Sequence, residues 1–202
     1  MPHAFMISFS HVSKRYPGGH QALQDVSFSI NAGELVFVTG HSGAGKSTLL
    51  KLPVAIERPT SGSVIVNGQN VGALNRRAVP FMRRSFGLVF QDPDDQLFSP
   101  TVWEDVAFGP THMGLDAAAV HDRVEAALDA VGALELAHRP PARLSIGQRK
   151  RAALATVLAM EPSVLVFDEP SAGLDPRGRR ELIELLAALP QTLVVSTHDL
   201  DL

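Results

Sequence analysis

Residues 35–47 of the chain read LVFVTGHSGAGKS, and this stretch decides the fold. An apolar run is followed by the pattern G-x-x-x-x-G-K-[ST], which spans Gly40–Ser47. The run predicts a strand, the glycines predict a loop whose N–H groups point inward, and a helix is expected from about Lys46. Such a loop binds the phosphates of a nucleoside triphosphate, with Lys46 on the β- and γ-phosphates and Ser47 on Mg²⁺. The alternative is a glycine-rich turn without a ligand, which the flanking strand and helix disfavour.

The composition is that of a globular protein, and it excludes several kinds of chemistry. The chain has 202 residues, of which 45% are hydrophobic and 19% charged, with a net charge of −3 and no cysteine. Without cysteine there are no disulfides or thiolate metal sites, which fits the cytoplasm. The net charge argues against nucleic acid as a partner, and the basic run at 149–151 is interpreted as a solvated helix turn. No apolar run approaches the ~20 residues of a membrane span, and residues 1–5 do not resemble the start of a signal peptide.

The order of strand-like and helix-like segments predicts an α/β protein. Strands are predicted at 6–9, 26–30, 35–39, 64–66, 86–90, 164–167 and 192–196. Helices are predicted from about Lys46, after Asp116, after Ser145 and over 177–189, and the segment 92–141 is a helical insertion. Strands that alternate with helices imply a mainly parallel sheet that binds its ligand at the carboxyl ends of the strands.

Two adjacent carboxylates, Asp168 and Glu169, follow the apolar run Val164–Phe167. A buried strand would bring Asp168 to the edge of the sheet, where it can hold Mg²⁺ or the water around it. Glu169 would point elsewhere and accept a proton from an attacking water. The alternative is a solvated acidic turn, which the phosphate loop disfavours.

Further motifs occur in a fixed order around these two. They are Tyr16 before Pro17-Gly18-Gly19, Gln91 after a predicted strand, Leu144-Ser145-Ile146-Gly147-Gln148, Ser171-Ala172-Gly173-Leu174-Asp175 and Ser196-Thr197-His198-Asp199. This series resembles the adenine-stacking aromatic, Q-loop, signature motif, D-loop and switch histidine of ABC-type ATPases. Taken singly, Tyr16 is also explained as a packing aromatic, Gln91 as a polar loop residue and His198 as a capping residue.

The resemblance implies an ABC ATPase fold: a P-loop NTPase core with a mainly parallel sheet, an N-terminal antiparallel β lobe and an inserted α-helical lobe. It implies one domain over 1–202, with 1–91 and 142–202 forming the core and 92–141 the helical lobe. ATP and Mg²⁺ are the implied ligands, and a head-to-tail dimer, of identical or of related subunits, encloses two ATP molecules.

The resemblance also assigns roles to residues. The catalytic residues are Glu169, His198 and Gln91. The nucleotide is bound by Tyr16, Gly40, His41, Ser42, Gly43, Ala44, Gly45, Lys46, Ser47 and Thr48, and from the other subunit by Ser145, Gly147 and Gln148. The Mg²⁺ ligands are Ser47, Gln91 and Asp168.

The two halves of the chain resemble different branches of this family. Residues 1–91 look like the cell-division ATPase FtsE, and residues 92–202 look like cobalt or energy-coupling-factor ATPases of the CbiO kind. The second half carries more weight, because the helical lobe usually selects the membrane partner. The leading interpretation is therefore the ATPase subunit of a transporter for a divalent metal such as cobalt or nickel, bound to integral membrane subunits on the cytoplasmic face. The alternatives are a cell-division ATPase that regulates a septal membrane protein without transport, and a nucleotide-binding module that hydrolyses poorly.

Two residues depart from the family pattern. Ile146 replaces the first glycine of the signature pair, and because a β-branched residue avoids positive φ, we expect Ile146 at negative φ in a helix that Ser145 caps. Pro53 falls inside the helix predicted after the phosphate loop, where a proline costs about 3 kcal/mol unless the helix bends or ends.

Overall fold

The computed structural model describes residues 6–198, so the resemblance at Asp199–Leu202 and the interpretation of residues 1–5 lie outside the described part. The strands of the described part are β1 (Ile7–Arg15), β2 (Gln21–Ile30), β3 (Leu35–Thr39), β4 (Ser61–Val66), β5 (Gln69–Asn70), β6 (Phe86–Val89), β7 (Val164–Asp168) and β8 (Thr192–Thr197). The helices are α1 (Lys46–Lys51), α2 (Val79–Arg83), α3 (Val102–His112), α4 (Ala117–Ala130), α5 (Ile146–Leu158) and α6 (Pro176–Ala188). None of these helices is both long and apolar enough to cross a membrane.

The chain divides into two compact units. The described part of the first unit comprises residues 6–86, 163–166 and 190–198, and the second comprises residues 87–162 and 167–189. The division into a core and a helical lobe that the sequence predicts, with its boundaries at 91 and 142, stays a prediction.

The first unit contains an antiparallel sheet with the strand order β2-β1-β4-β5. Strand β1 lies between β2 and β4. Its alternating residues Ile7 and Phe9 are buried, and so is Val12, which follows a shift in the pairing with β2 between Phe9 and Val12. Phe9 stacks on Phe28 of the neighbouring strand with ring centroids 4.5 Å apart. This sheet is the antiparallel β lobe that the family resemblance implies.

A second sheet has the strand order β3-β8-β7-β6. Strands β3 and β8 are parallel and in register from Leu35 opposite Leu193 to Thr39 opposite Thr197. The first four residues of β7 are buried, as a strand covered on both faces requires. Strand β3 is an edge strand of this sheet. Phe37 is 41% exposed there, although residues 35–38 are all apolar.

Pro53 is accommodated because the regular hydrogen bonding of α1 ends before it. The N–H of Ala55 bonds the carbonyl of Leu52, and the N–H of Ile56 bonds that of Lys51 at 3.1 Å, while Ala55 lies at φ 53°. These paired bonds and the left-handed residue form a Schellman motif. The proline therefore lies in the closing turn of a short helix, where the chain is already leaving the helical ladder.

Helices α3, α4 and α5 of the second unit pack against one another. Their contact is apolar, with Val106, Val124 and Leu154 all buried. The sequence analysis predicted α4 and α5 by their caps, and the side chain of Asp116 accepts from Ala119 N–H as expected. Helix α3 has a full capping box that the analysis did not use, in which Thr101 and Glu104 each accept from the other's backbone N–H.

Candidate functional site

The loop between β3 and α1 has the backbone geometry that its glycines predict. Gly40, Gly43 and Gly45 have φ values of 147°, 81° and 92°. At Gly45 a Cβ atom would lie 2.3 Å from the carbonyl oxygen of Ala22, so both the backbone angle and the space admit only glycine there. The remaining loop residues assigned to the nucleotide, His41, Ser42 and Ala44, are exposed.

Lys46 and its neighbours begin helix α1 at the end of this loop. The Lys46 ammonium donates to the carbonyl oxygens of Gly40 at 2.6 Å and His41 at 3.2 Å, and thus lies over the loop. Ser47 is exposed in the first turn of the helix, whereas Thr48 is buried. The ammonium and the Ser47 hydroxyl can therefore meet phosphate oxygens at the start of a helix, where unpaired N–H groups favour an anion.

Tyr16 is brought to the same helix by the turn that joins β1 and β2. Its hydroxyl lies 3.2 Å from the Thr48 hydroxyl, and its ring lies 6.5 Å from that of His20. The Lys14 ammonium is 5.0 Å from the centre of the Tyr16 ring and pairs with Glu57 at 2.6 Å. The sequence analysis did not predict that Lys14 lies beside the Tyr16 ring and pairs with Glu57. Lys14 and Glu57 are 43 positions apart, and no local sequence pattern connects them.

His198 follows the last residue of β8, and Gly40 follows the last residue of β3. Because Thr39 and Thr197 are register partners in a parallel pair, the chain leaves both strands at one edge of the sheet. The predicted switch histidine and the predicted phosphate loop thus emerge side by side, although they are far apart in sequence.

In the second unit, Asp168 is the last residue of β7 and Glu169 follows it. Glu169 has φ 49°, in the left-handed region that residues other than glycine, asparagine and aspartate rarely adopt. Both side chains are half-buried. Strained backbone of this kind is often found at functional sites. The backbone angle of Glu169 therefore adds support, beyond its place in the sequence, for the predicted catalytic role.

Gln91 is exposed in the loop after β6, and its backbone is held from α5. The Lys150 ammonium donates to the Gln91 carbonyl oxygen at 3.0 Å. Lys150 is only 8% exposed, so burial lowers the pKa of its ammonium below the usual range, and the carboxylate of Asp92 acts in the opposite direction. The sequence analysis assigned this lysine to a solvated helix turn, and that was wrong, because its side chain turns inward toward the Gln91 loop.

The signature residues form the start of α5. Ser145 is its N-cap, and its hydroxyl accepts from the N–H of Gln148 at 3.3 Å while the Gln148 side chain accepts from the N–H of Ser145. Ile146 is the first residue of the helix and is not among those at positive φ, which confirms the expectation for it. The Ser145 oxygen thus accepts as the predicted cap, and its proton remains available to a phosphate oxygen.

Each of the three side chains assigned to Mg²⁺ carries an oxygen donor of the type that this ion binds. Ser47, Gln91 and Asp168 offer a hydroxyl, an amide and a carboxylate, which are hard ligands. Across residues 6–198, no group of three or more His, Asp or Glu side chains is arranged to hold a metal alone.

Comparison with known proteins identifies the family to which this geometry belongs. The sequence profile of the ABC transporter family matches residues 23–172. The chain belongs to this family. As an ABC transporter ATPase it is an ATP-binding subunit that hydrolyses ATP, which confirms the prediction made from its motifs.

Relatives of this ABC ATPase align along nearly its whole length. The energy-coupling factor transporter ATP-binding protein EcfA of Methanosphaera stadtmanae is 47% identical over 190 residues, which cover 93% of this chain and 68% of that protein. The structure of cbiO1 from Clostridium perfringens, part of the ABC transporter complex cbiONQ, has a TM-score of 0.93 and 39% identity and covers 98% of this chain and 80% of that one.

A second similar structure is the dimeric, post-hydrolysis state of the ATP-binding cassette MJ0796 with ADP and phosphate. It has a TM-score of 0.83 at 30% identity, covering 97% of this chain and 89% of that one. These structures confirm the predicted ABC ATPase fold. Because the matches to EcfA and cbiO1 cover 93% and 98% of the chain, they include most of residues 1–91, the half that the sequence analysis compared with FtsE.

Proposed function

We propose that this chain is the ATPase subunit of an energy-coupling-factor transporter for a divalent metal ion such as cobalt or nickel. One observation carries the proposal. The relatives named EcfA and cbiO1 match 93% and 98% of this chain, so the likeness includes the helical region that would meet a membrane partner as well as the ATP-binding motifs. The choice of cobalt or nickel as the cargo rests on the resemblance of residues 92–202 to cobalt-type ATPases described in the sequence analysis.

Each site residue has a proposed role in hydrolysis. Lys46 and the loop from Gly40 to Thr48 bind the phosphates, while Tyr16 stacks on the adenine. Glu169 accepts a proton from the attacking water, and Gln91 and His198 orient that water and the γ-phosphate. Ser47, Gln91 and Asp168 would hold Mg²⁺, which when bound would supply charge neutralisation at the phosphates.

The proposed active form is a head-to-tail dimer. Ser145, Gly147 and Gln148 of one subunit would contact the γ-phosphate bound to the other, because the first turn of α5 offers N–H groups to an anion. The dimeric form of the similar MJ0796 cassette supports this arrangement. Loss of the γ-phosphate would then loosen the dimer and open it.

The membrane partner is proposed to dock on an exposed aromatic pair of the second unit. Phe98 and Phe108 are 67% and 46% exposed, and their rings meet edge to face with centroids 5.0 Å apart. His112 extends the pair, with its ring 4.0 Å from that of Phe108. Clustered exposed aromatic side chains are typical of an interaction surface, and this one would hold the subunit at the cytoplasmic face of the membrane.

The test is affinity purification of the tagged chain from detergent-solubilised membranes, followed by identification of the bound proteins. We expect a small set of integral membrane subunits, and we expect the Phe98→Ser/Phe108→Ser variant to lose them. Phe81→Ser is the matched control, because Phe81 is also 67% exposed but lies on α2 of the first unit.

Two results of this purification would overturn the proposal. Recovery of a single membrane partner with a large extracytoplasmic loop would favour the cell-division alternative. Recovery of no membrane protein by the unmodified chain would favour a nucleotide-binding module that acts without a membrane partner.

A further inference from the structure

The loop that carries Gln91 is tied to helix α5 by side chains at three points. Lys150 donates to the Gln91 carbonyl oxygen at 3.0 Å, and Arg149 forms an ion pair with Asp94 at 3.4 Å. Gln96 donates back to α5, to the carbonyl oxygen of Ala153 and the hydroxyl of Thr156, both at 2.7 Å. We call Arg149, Lys150 and Gln96 the loop clamp.

Of the three side chains in the loop clamp, Lys150 is the one whose burial costs the most free energy. Its stem lines a small apolar pocket with Phe90, Pro93 and Leu154, and the residue as a whole is 8% exposed. A buried ammonium is unfavourable unless it is hydrogen-bonded, and a methionine would fill the same space without that cost. A charged residue at this buried position is therefore expected to have a specific role. Its hydrogen-bond acceptor is the backbone carbonyl of Gln91, a residue that is proposed to act in hydrolysis.

We propose that Lys150 is a positioning residue: by holding the backbone of Gln91 to helix α5, it sets where the Gln91 side chain meets ATP. This inference rests on the proposed role of Gln91. The Gln91 side chain is exposed and α5 begins with the signature residues, so the loop clamp makes the loop and the signature helix move as one body. Displacement of a positioned group by about 1 Å can lower a rate by up to ~10²-fold.

The experiment compares Lys150→Met with Lys150→Arg and the unmodified protein. For Lys150→Met we expect kcat to fall about 10-fold or more, with the affinity for a fluorescent ATP analogue unchanged in the absence of Mg²⁺. The Mg²⁺ concentration for half-maximal hydrolysis should rise. Lys150→Arg, which retains a charged donor, should restore part of the rate. Arg180→Met removes an exposed positive charge from α6 and is the matched control.

Hydrogen exchange supplies a readout that does not depend on activity. In Lys150→Met, the backbone amides of residues 90–97 should exchange faster than in the unmodified protein, while those of β1 and β2 should not. If Lys150→Met does not fold, Gln96→Leu removes the opposite arm of the loop clamp and carries the same expectation for kcat and exchange.

The outcomes separate this inference from the proposed function. An unmodified protein that does not hydrolyse ATP contradicts the proposed roles of the site residues. If the unmodified protein hydrolyses ATP normally and Lys150→Met shows unchanged kcat and unchanged exchange, the positioning role of Lys150 is contradicted and the proposed function is not. A parallel loss of ATP affinity, kcat and thermal stability also contradicts the positioning role, because a merely structural role would produce that result.

Discussion

Thr39 and Thr197 are register partners at the carboxyl ends of two adjacent parallel strands, so that Gly40 and His198 leave the sheet at the same edge. The two residues are 158 positions apart in sequence, and their pairing brings the phosphate loop beside the predicted switch histidine, His198. The first prediction concerns that histidine. His198→Ala should lower kcat by on the order of 10²-fold and leave ATP affinity nearly unchanged, because in the proposed mechanism the imidazole acts on the γ-phosphate during the reaction.

Steady-state hydrolysis and equilibrium nucleotide binding test this together. His121→Ala on α4 is the control, since that histidine is exposed and lies in the other unit. Equal losses of affinity and kcat in His198→Ala would show that the imidazole binds ATP rather than acting in its hydrolysis.

Lys46→Ala should abolish nucleotide binding while leaving the fold intact. The ammonium lies over the phosphate loop, bonded to the carbonyl oxygens of Gly40 and His41, and it is not part of the apolar core. Binding is measured with a fluorescent ATP analogue and folding by thermal denaturation. Lys51→Ala, in the last turn of the same helix, should bind ATP as the unmodified protein does. Unchanged affinity in Lys46→Ala would show that the phosphate-loop assignment is wrong.

Glu169→Gln should bind ATP, hydrolyse it 10²–10⁴-fold more slowly, and accumulate as a dimer. The amide keeps the shape of the carboxylate at φ 49° but cannot accept the proton of an attacking water. Turnover and size-exclusion chromatography with ATP measure the two effects. Glu161→Gln is a matched control, because Glu161 is also left-handed, at φ 52°, but is exposed after α5. Normal turnover in Glu169→Gln would remove the general-base role.

Ile146→Gly should alter hydrolysis and dimerisation while leaving the nucleotide affinity of the monomer nearly unchanged. Ile146 is half-buried as the first residue of α5, next to the Ser145 cap, and glycine in a helix costs about 1 kcal/mol relative to alanine. Hydrolysis is measured as a function of protein concentration, which separates dimerisation from turnover. An unchanged concentration dependence would mean that the Ile146 side chain does not lie at the dimer contact.

Much of the fold could be predicted because it depends on local patterns. The strand, glycine loop and helix around Lys46 follow one another within a few residues, as do the caps at Asp116 and Ser145. Helix boundaries were less certain: α6 begins at Pro176, one residue earlier than predicted, since proline is favoured in the first turn. The capping box of α3 was present in the sequence at Thr101 and Glu104 and was overlooked.

The sequence alone determined that the chain has a phosphate loop between a strand and a helix, because turns, caps and periodicity report hydrogen bonds among near neighbours. Only the tertiary structure decided which distant segments meet. It paired Thr39 with Thr197, brought Tyr16 to Thr48 and turned Lys150 toward Gln91. Such contacts depend on how strands pair and helices pack over tens of residues, and the same local patterns are compatible with many such pairings.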